Sequence, residues 1–340
     1  MWFLLFLSKL YGFAISIRLL LYRSGIFKQK QLKVKVISVG NVTVGGTGKT
    51  PLVIYLAEKL KEKNKRVVIL IRGYKRKSRN TMDLNSENKG KIGWEDVGDE
   101  PYLLSQRLED VPVIVTKHRL VSGSYAIGKY NPDILILDDG FQHLKLHRDL
   151  DVVMIDSTNP WGNGKLLPAG RLREPLSSLR RADVFMLTRT DQISDLTETK
   201  NTLKRYNPQV PMMESIYRIR SMENLSDHLP VDSGKLENRK ALAFSGIGNP
   251  TSFENSLMQL KINVVKHRRF ADHFAYRRKD IISLSKEAKN LRVDFMVTTE
   301  KDSVRIPMVN RQEIPIYVLK IDLHITSGEE MMFKKIEGMT

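Results

Sequence analysis

Short apolar runs recur along the chain at 66–71, 111–116, 134–137, 152–155 and 184–187, each bounded by polar turns. Before them, Val34, Val36, Ile37 and Val39 form a β-branched run. Such short, continuous runs predict strands buried on both faces. Between the first two, Leu52, Val53, Leu56 and Leu60 recur at helical spacing, and Gly98-Asp99-Glu100-Pro101 predicts the start of a helix to about residue 108. Strands alternating with helices predict an α/β fold: a mostly parallel sheet with helices on both faces. The polar stretch 77–92 reads as a mobile loop.

The apolar rhythm weakens over 211–233. It resumes at 240–250 and continues through 294–299 and 314–321. We therefore expect a core domain at 28–211, a linker at 212–235 and a smaller C-terminal α/β lobe at 236–340.

Residues 2–22 form a different pattern, apolar almost throughout, with only Lys9 and Arg18 interrupting. Arg23, Lys28, Lys30, Lys33 and Lys35 follow directly. The whole chain carries a net charge of +18, and residues 1–80 hold eighteen of its Lys and Arg against two acids, a net of +16. A basic excess beside an apolar segment points to anionic membrane lipids rather than nucleic acid. Residues 1–27 are expected to be a membrane-anchoring helix. Lys9 and Arg18 fall on opposite helix faces, so the segment is neither a clean amphipathic stripe nor an unbroken span. A secretory signal is disfavoured, because no basic region precedes the apolar run and no small-residue cleavage site follows it. A helix buried in the protein is the alternative. The absence of cysteine excludes disulfides and thiolate metal sites.

The chemistry starts after the first β-branched run, at Thr43-Val44-Gly45-Gly46-Thr47-Gly48-Lys49-Thr50-Pro51. Glycines let backbone N–H groups face phosphate oxygens, the following helix adds its positive end, Lys49 reaches the terminal phosphates and Thr50 can ligate Mg²⁺. Thr43 stands where the usual pattern has glycine, and Gly45 and Gly46 supply the turn. Pro51 fits the first helical turn. Asp138 and Asp139 end a strand where such proteins hold Mg²⁺, although acids there also form turns. Asp99 and Glu100 either cap a helix or serve the site, where either carboxylate could orient an acceptor hydroxyl or approach Mg²⁺. Gln142 and His143 continue the loop after Asp139, and Arg171 with Arg173 suits phosphate recognition. His273 lies between aromatics and is either structural or functional. Thr188-Arg189-Thr190-Asp191 is a near miss to the guanine-reading motif of GTPases.

These motifs, in this order, resemble the tetraacyldisaccharide 4'-kinase family. The resemblance is carried by Gly40-Asn41-Val42-Thr43 leading into the glycine loop, Arg72-Gly73-Tyr74, Gly98-Asp99-Glu100-Pro101, Asp138-Asp139-Gly140-Phe141-Gln142-His143, Gly170-Arg171-Leu172-Arg173-Glu174-Pro175, Gly246-Ile247-Gly248-Asn249-Pro250, Asp272-His273 and Thr299-Glu300-Lys301-Asp302. It implies a P-loop NTPase-type core with a second lobe closing on the nucleotide. The implied reaction uses ATP and Mg²⁺ to phosphorylate the 4'-hydroxyl of a tetraacyl glucosamine disaccharide 1-phosphate, a lipid A precursor, at the cytosolic face of a Gram-negative inner membrane. Asp99 and His273 fall on the family's catalytic pair. Thr50, Glu100, Asp138 and Asp139 are the expected metal residues, and Arg72, Tyr74, Arg119, Gln142, His143, Arg171 and Glu174 the acceptor-site candidates. Phe274 stands where the family often has a second histidine. No nucleic acid or obligate protein partner is expected. The rival readings are a membrane-associated GTPase and a non-catalytic nucleotide-binding scaffold.

Overall fold

The computed structural model describes residues 2–74, 76–78, 80–85, 87, 91–307 and 313–339. Its strands are β1 (Lys35–Asn41), β2 (Val67–Ile71), β3 (Met82–Leu84), β4 (Val113–Val115), β5 (Ile134–Asp138), β6 (Leu150–Asp156), β7 (Val184–Thr188), β8 (Met212–Asn224), β9 (Pro230–Val231), β10 (Lys240–Ser245), β11 (Asn263–Arg269), β12 (Phe295–Thr299) and β13 (Ile316–Ser327). The helices are α1 (Trp2–Arg23), α2 (Lys49–Glu62), α3 (Trp94–Val97), α4 (Asp99–Arg107), α5 (Arg119–Tyr130), α6 (Thr197–Tyr206), α7 (Pro250–Gln259), α8 (Arg278–Asn290), α9 (Glu300–Ser303) and α10 (Glu329–Glu337).

The order β7-β6-β1-β5-β2-β4-β3 forms the larger lobe, and β11-β10-β12-β13 forms the smaller. The central strands are parallel, with β1 paired to both β5 and β6. Their residues are buried almost without exception, as expected where helices cover both faces. On one face α2 packs Leu52, Leu56 and Leu60 against Ile37, Val39 and Ile136. The β1 position matters most for function, because its carboxyl end lies mid-sheet, where ligands collect.

Three expectations from the sequence are revised. The segment 212–235 opens with β8, which pairs in parallel with β7 and antiparallel with β13, joining both lobes into one continuous sheet. Its period-2 pattern is masked in the sequence by Glu214, Arg218, Arg220 and Glu223 on the wetter face. The second half of β13 and α10 leave the smaller lobe, and Leu323, Ile325, Met332, Phe333 and Ile336 join the larger lobe's core beside α2. The 77–92 stretch, expected as a loop, contains β3, paired antiparallel to β4; residues 79, 86 and 88–90 within it lie outside the described residues.

Because Met332 is fully buried in that core, Met332→Ala should lower unfolding free energy by about 2–5 kcal/mol. Urea denaturation measures it, and a loss near zero would place α10 outside the core.

Candidate active site

The backbone leaving β1 turns at Gly45 (φ 118°) and Gly48 (φ 87°) before α2 begins at Lys49. A side chain at Gly48 would strike the Tyr217 hydroxyl at 1.6 Å, and one at Gly45 would strike the Arg171 guanidinium at 2.1 Å. Glycine is therefore required at both places by backbone conformation and by crowding. The loop is braced from three directions. Arg171 donates to the Val44 carbonyl at 2.9 Å while its own carbonyl accepts from the Val44 N–H. Arg189 donates to the Gly46 carbonyl at 3.0 Å and pairs with Asp156 at 2.7 Å. Thr43, buried, carries the short backbone bridge to Leu172. Arg189 is thus committed to holding the phosphate loop.

Lys49 turns back over β1. Its Nζ donates to Asn41 Oδ1 at 3.2 Å and lies 3.5 Å from Asp139. Asp139, at φ 54°, is gripped by both Arg173 nitrogens at 2.6 and 3.0 Å. Burial would raise its carboxyl, but Lys49 and Arg173 outweigh burial and hold it well below the ordinary carboxylate range. Its neighbour Asp138 is the opposite case. It ends β5 with Oδ2 buried and unpartnered among the described residues, and burial, reinforced by Glu100, pushes it up to about 7. An orphaned carboxylate oxygen with a second acid nearby fits a divalent cation. Thr50 follows Lys49 in the first turn of α2.

Asp99 opens α4 at the end of the Gly98 turn. His273 reaches it from the other lobe, its Nδ1 lying 2.8 Å from Asp99 Oδ2. Burial raises the Asp99 carboxyl, but His273, Lys301 and Arg305 together bring it down to about 2. Ionised Asp99 can only accept, so His273 Nδ1 carries the proton and donates. His273 itself sits at φ 60°, an uncommon conformation for a non-glycine residue that the surroundings must enforce. Its N–H donates to the Gly246 carbonyl at 3.0 Å, and the Gly246 N–H donates to buried Asp302 at 2.9 Å.

The lobes meet through a ladder of opposite charges. Asp99 pairs with Arg305 at 3.1 Å, Glu100 with Lys301 at 2.8 Å and Arg107 with Glu300 at 2.8 Å. All three rungs join α4 to α9 or to the turn after it. Beyond them, Gly248 packs so closely on the phosphate loop that an added Cβ would be 2.7 Å from the Gly46 nitrogen. A cleft of about 370 Å³ lies beside this contact, lined by Asp156, Asn159, Arg171, Gln192, Asn249 and Thr251 among others.

The other expected residues divide. Tyr74, largely exposed, sets its ring 5.1 Å from that of His273, and Arg72 precedes it on the same exposed loop. Gln142 donates to the Asn41 carbonyl at 2.9 Å. His143 is held neutral, burial and Arg119 lowering it to about 4. Arg119 is buried and donates to the Thr116 and Asp138 carbonyls, supporting the end of β5 from inside. Glu174 is fully buried and paired with Arg181 at 2.6 Å, which places it inside the fold. Arg173, expected to suit phosphate recognition, instead grips Asp139, and Lys301, Arg305 and Asn41 were not among the expected site residues. Thr299-Glu300-Lys301-Asp302 marked that neighbourhood, but nothing local to it indicates a partner two hundred residues earlier.

A phosphate loop at the carboxyl edge of a parallel sheet, facing paired carboxylates, defines a P-loop-type phosphotransferase. The sequence matches the family described as tetraacyldisaccharide-1-P 4'-kinase over residues 1–338, and the chain belongs to that family. Among its relatives, the tetraacyldisaccharide 4'-kinase of Halothermothrix orenii is 40% identical, the match covering 94% of this chain and 88% of that one. The Desulfotalea psychrophila enzyme of the same name is 38% identical, covering 96% and 94%. A crystal structure of LpxK from Aquifex aeolicus in complex with ATP superposes with a TM-score of 0.75 at 36% identity, over 97% of this chain and 96% of that one.

Asp99's depressed carboxyl carries a pH signature. Its ordinary value is 3.8, so the ionised form contributes stability above about pH 4 that is lost as pH falls toward 2. Asp99→Asn should cost on the order of 2 kcal/mol at neutral pH, the gap to wild type narrowing below about pH 4. Denaturant unfolding across that range measures it, and a gap independent of pH would remove the charge from the account.

Proposed function

We infer that this chain transfers the γ-phosphoryl group of ATP to the 4'-hydroxyl of a tetraacyl glucosamine disaccharide 1-phosphate, giving the 1,4'-bisphosphate. The observation that carries this reading is the hydrogen bond between Asp99 and His273, which come from opposite lobes and meet at the sheet edge that holds Lys49.

The phosphate loop and α2 N-terminus receive the phosphates, with Lys49 neutralising charge on the β/γ oxygens. The cleft beside Asn249 and Gln192 suits the nucleoside end. Asp138, Glu100 and Thr50 are the residues that would hold Mg²⁺, which would supply further charge neutralisation there. Asp139 is a support for Lys49 and Arg173 in this reading. Asp99 accepts the hydroxyl proton, the sugar oxygen bonds to the γ-phosphorus, and the bond to the bridging oxygen breaks to release ADP. A carboxylate held near 2 is a weak base, effective only as the hydroxyl acidifies late in a loose transition state. Its value is placement, which His273 and Arg305 supply. The contact of Gly248 with Gly46 closes the site against water.

The acceptor is a lipid, so the site must meet a membrane. Arg171, Tyr74, Arg72, Gln142 and His143 are our candidates for its headgroup. An open cavity of about 400 Å³ lined by Lys30, Lys117, His118, Arg119, His143 and Lys145 among others matches an anionic headgroup in charge. With ATP supplied from the cytosol, the enzyme works at the cytosolic face of the inner membrane.

Transfer of labelled γ-phosphate to the tetraacyl disaccharide in detergent micelles tests the reaction. ATP should serve and GTP should be poor, since Arg189 is occupied by the phosphate loop; efficient turnover with GTP would favour the GTPase reading, and no lipid-dependent turnover a scaffold. Lys49→Ala should abolish transfer with the fold intact. Asp99→Ala, His273→Ala and the double variant should each lower kcat by about 10²–10⁴, because residues acting as a unit lose activity non-additively. If the two single losses multiply, the pair is not a unit.

A further inference from the structure

The loop at 246–249 joins β10 to α7 and presses on the phosphate loop from the smaller lobe. We propose that His267 is a positioning residue for phosphoryl transfer, a role that rests on the reaction assigned above: its ring ties the two ends of this loop together and so fixes the loop against Gly46 and His273.

His267 lies in β11, the edge strand of the smaller lobe, in register with Ala243 of β10. Its side chain is nevertheless only 6% exposed, because both ring nitrogens are engaged. Nε2 lies 2.9 Å from the hydroxyl of Ser245, the last residue of β10, and Nδ1 hydrogen-bonds Glu254 in α7. The loop runs between these two attachments. Burial would raise the Glu254 carboxyl, but Arg269 and His267 outweigh it and hold it below the ordinary range. A carboxylate only accepts, so Nδ1 donates, and Nε2 of the neutral ring accepts from the Ser245 hydroxyl. Buried Phe253 meets the imidazole edge-on, the ring centroids 5.7 Å apart. The trio has the makeup of an activated serine, but Ser245 is buried and the following N–H, of Gly246, already donates to Asp302 at 2.9 Å. The N–H best placed to stabilise an oxyanion is thus taken, and the hydrogen bonds serve to hold the loop.

Both halves of the site lean on that loop. At its first end the Gly246 carbonyl accepts from the His273 N–H at 3.0 Å and from Arg305 at 3.1 Å, the two residues that hold Asp99. In its middle, Gly248 packs on Gly46. Just past its far end, the Ser252 hydroxyl accepts from Arg189 at 3.3 Å, and Arg189 in turn braces the Gly46 carbonyl. Close approach demands glycine at 246 and 248, since a Cβ at Gly246 would lie 3.0 Å from the Ala271 carbonyl. The same glycines leave the backbone free to open. Tying the ends removes that freedom where a misplacement of about 1 Å costs about 10²-fold in rate.

His267→Phe keeps a ring against Phe253 and loses both hydrogen bonds. It should lower kcat/KM for ATP by about 10²-fold, leave KM for the disaccharide unchanged, and raise ATP hydrolysis relative to transfer, because the loosened loop no longer excludes water. Glu254→Gln, which keeps an acceptor for Nδ1, should retain most of the activity that Glu254→Ala loses. Hydrogen–deuterium exchange on the full-length protein, which needs no turnover, should be faster in His267→Phe at 246–249 and in the phosphate loop alone. Wild-type kinetics and exchange in His267→Phe would overturn the tie. So would faster exchange across the whole smaller lobe with a lowered Tm, which would reduce His267 to ordinary packing, or equal losses in Glu254→Gln and Glu254→Ala. Failure of the wild-type protein to phosphorylate the disaccharide would instead strike the reaction, and the exchange comparison would still decide the tie.

Discussion

Four carboxylates, Asp99, Glu100, Asp138 and Asp139, crowd one edge of the sheet, and the site exists only because their repulsion is managed. Asp139 is matched by Lys49 and Arg173, Asp99 by His273 and Arg305, and Glu100 by Lys301. Among the described residues Asp138 has no such match, and burial pushes it toward its neutral form. The pairings sort the acids by charge state: Asp99, Glu100 and Asp139 are held below the ordinary carboxylate range and Asp138 above it.

Three of those five partners, His273, Lys301 and Arg305, come from the smaller lobe, so electrostatics and lobe geometry are one problem. The β8–β13 ribbon carries the connection as sheet, and the α4–α9 ladder closes it with charge. Removing a single buried partner such as Arg305 leaves an uncompensated Asp99, a change costlier than the net worth of the pair. Three residues at the same place, Asp139, Arg189 and His273, have positive φ. Each follows a strand end or a tight turn and presents its side chain toward the other lobe or the phosphate loop.

Helix α1 meets the catalytic side through the loops after β5 and β6. Gln142 bridges them directly, its carbonyl accepting from Arg18 and its amide donating to the Asn41 carbonyl at the end of β1. Helix α1 and the strand leading into the phosphate loop are thus linked through one residue, Gln142.

Much was determined by the sequence alone. The strand ends of the core, the glycine loop, the α4 start at Asp99 and the apolar N-terminal helix are local features, written in runs of Val, Ile and Leu, in Gly-Lys-Thr and in a proline after an acid pair. Asp99 and His273 were legible as a pair only through family resemblance, because no local rule joins residues so far apart in the chain. Tertiary structure decided the rest. It turned a polar-looking stretch into β8, since a strand with one wet face hides its period among charges. It moved α10 into the larger lobe, buried Glu174 against Arg181, and brought Lys301 and Arg305 onto α4. It also chose the face of α1 that meets protein: Ser8 and Tyr11 donate to the Leu166 and Arg173 carbonyls and Gly12 packs on Leu166, all unremarkable residues in an apolar run until those loops are folded beside them.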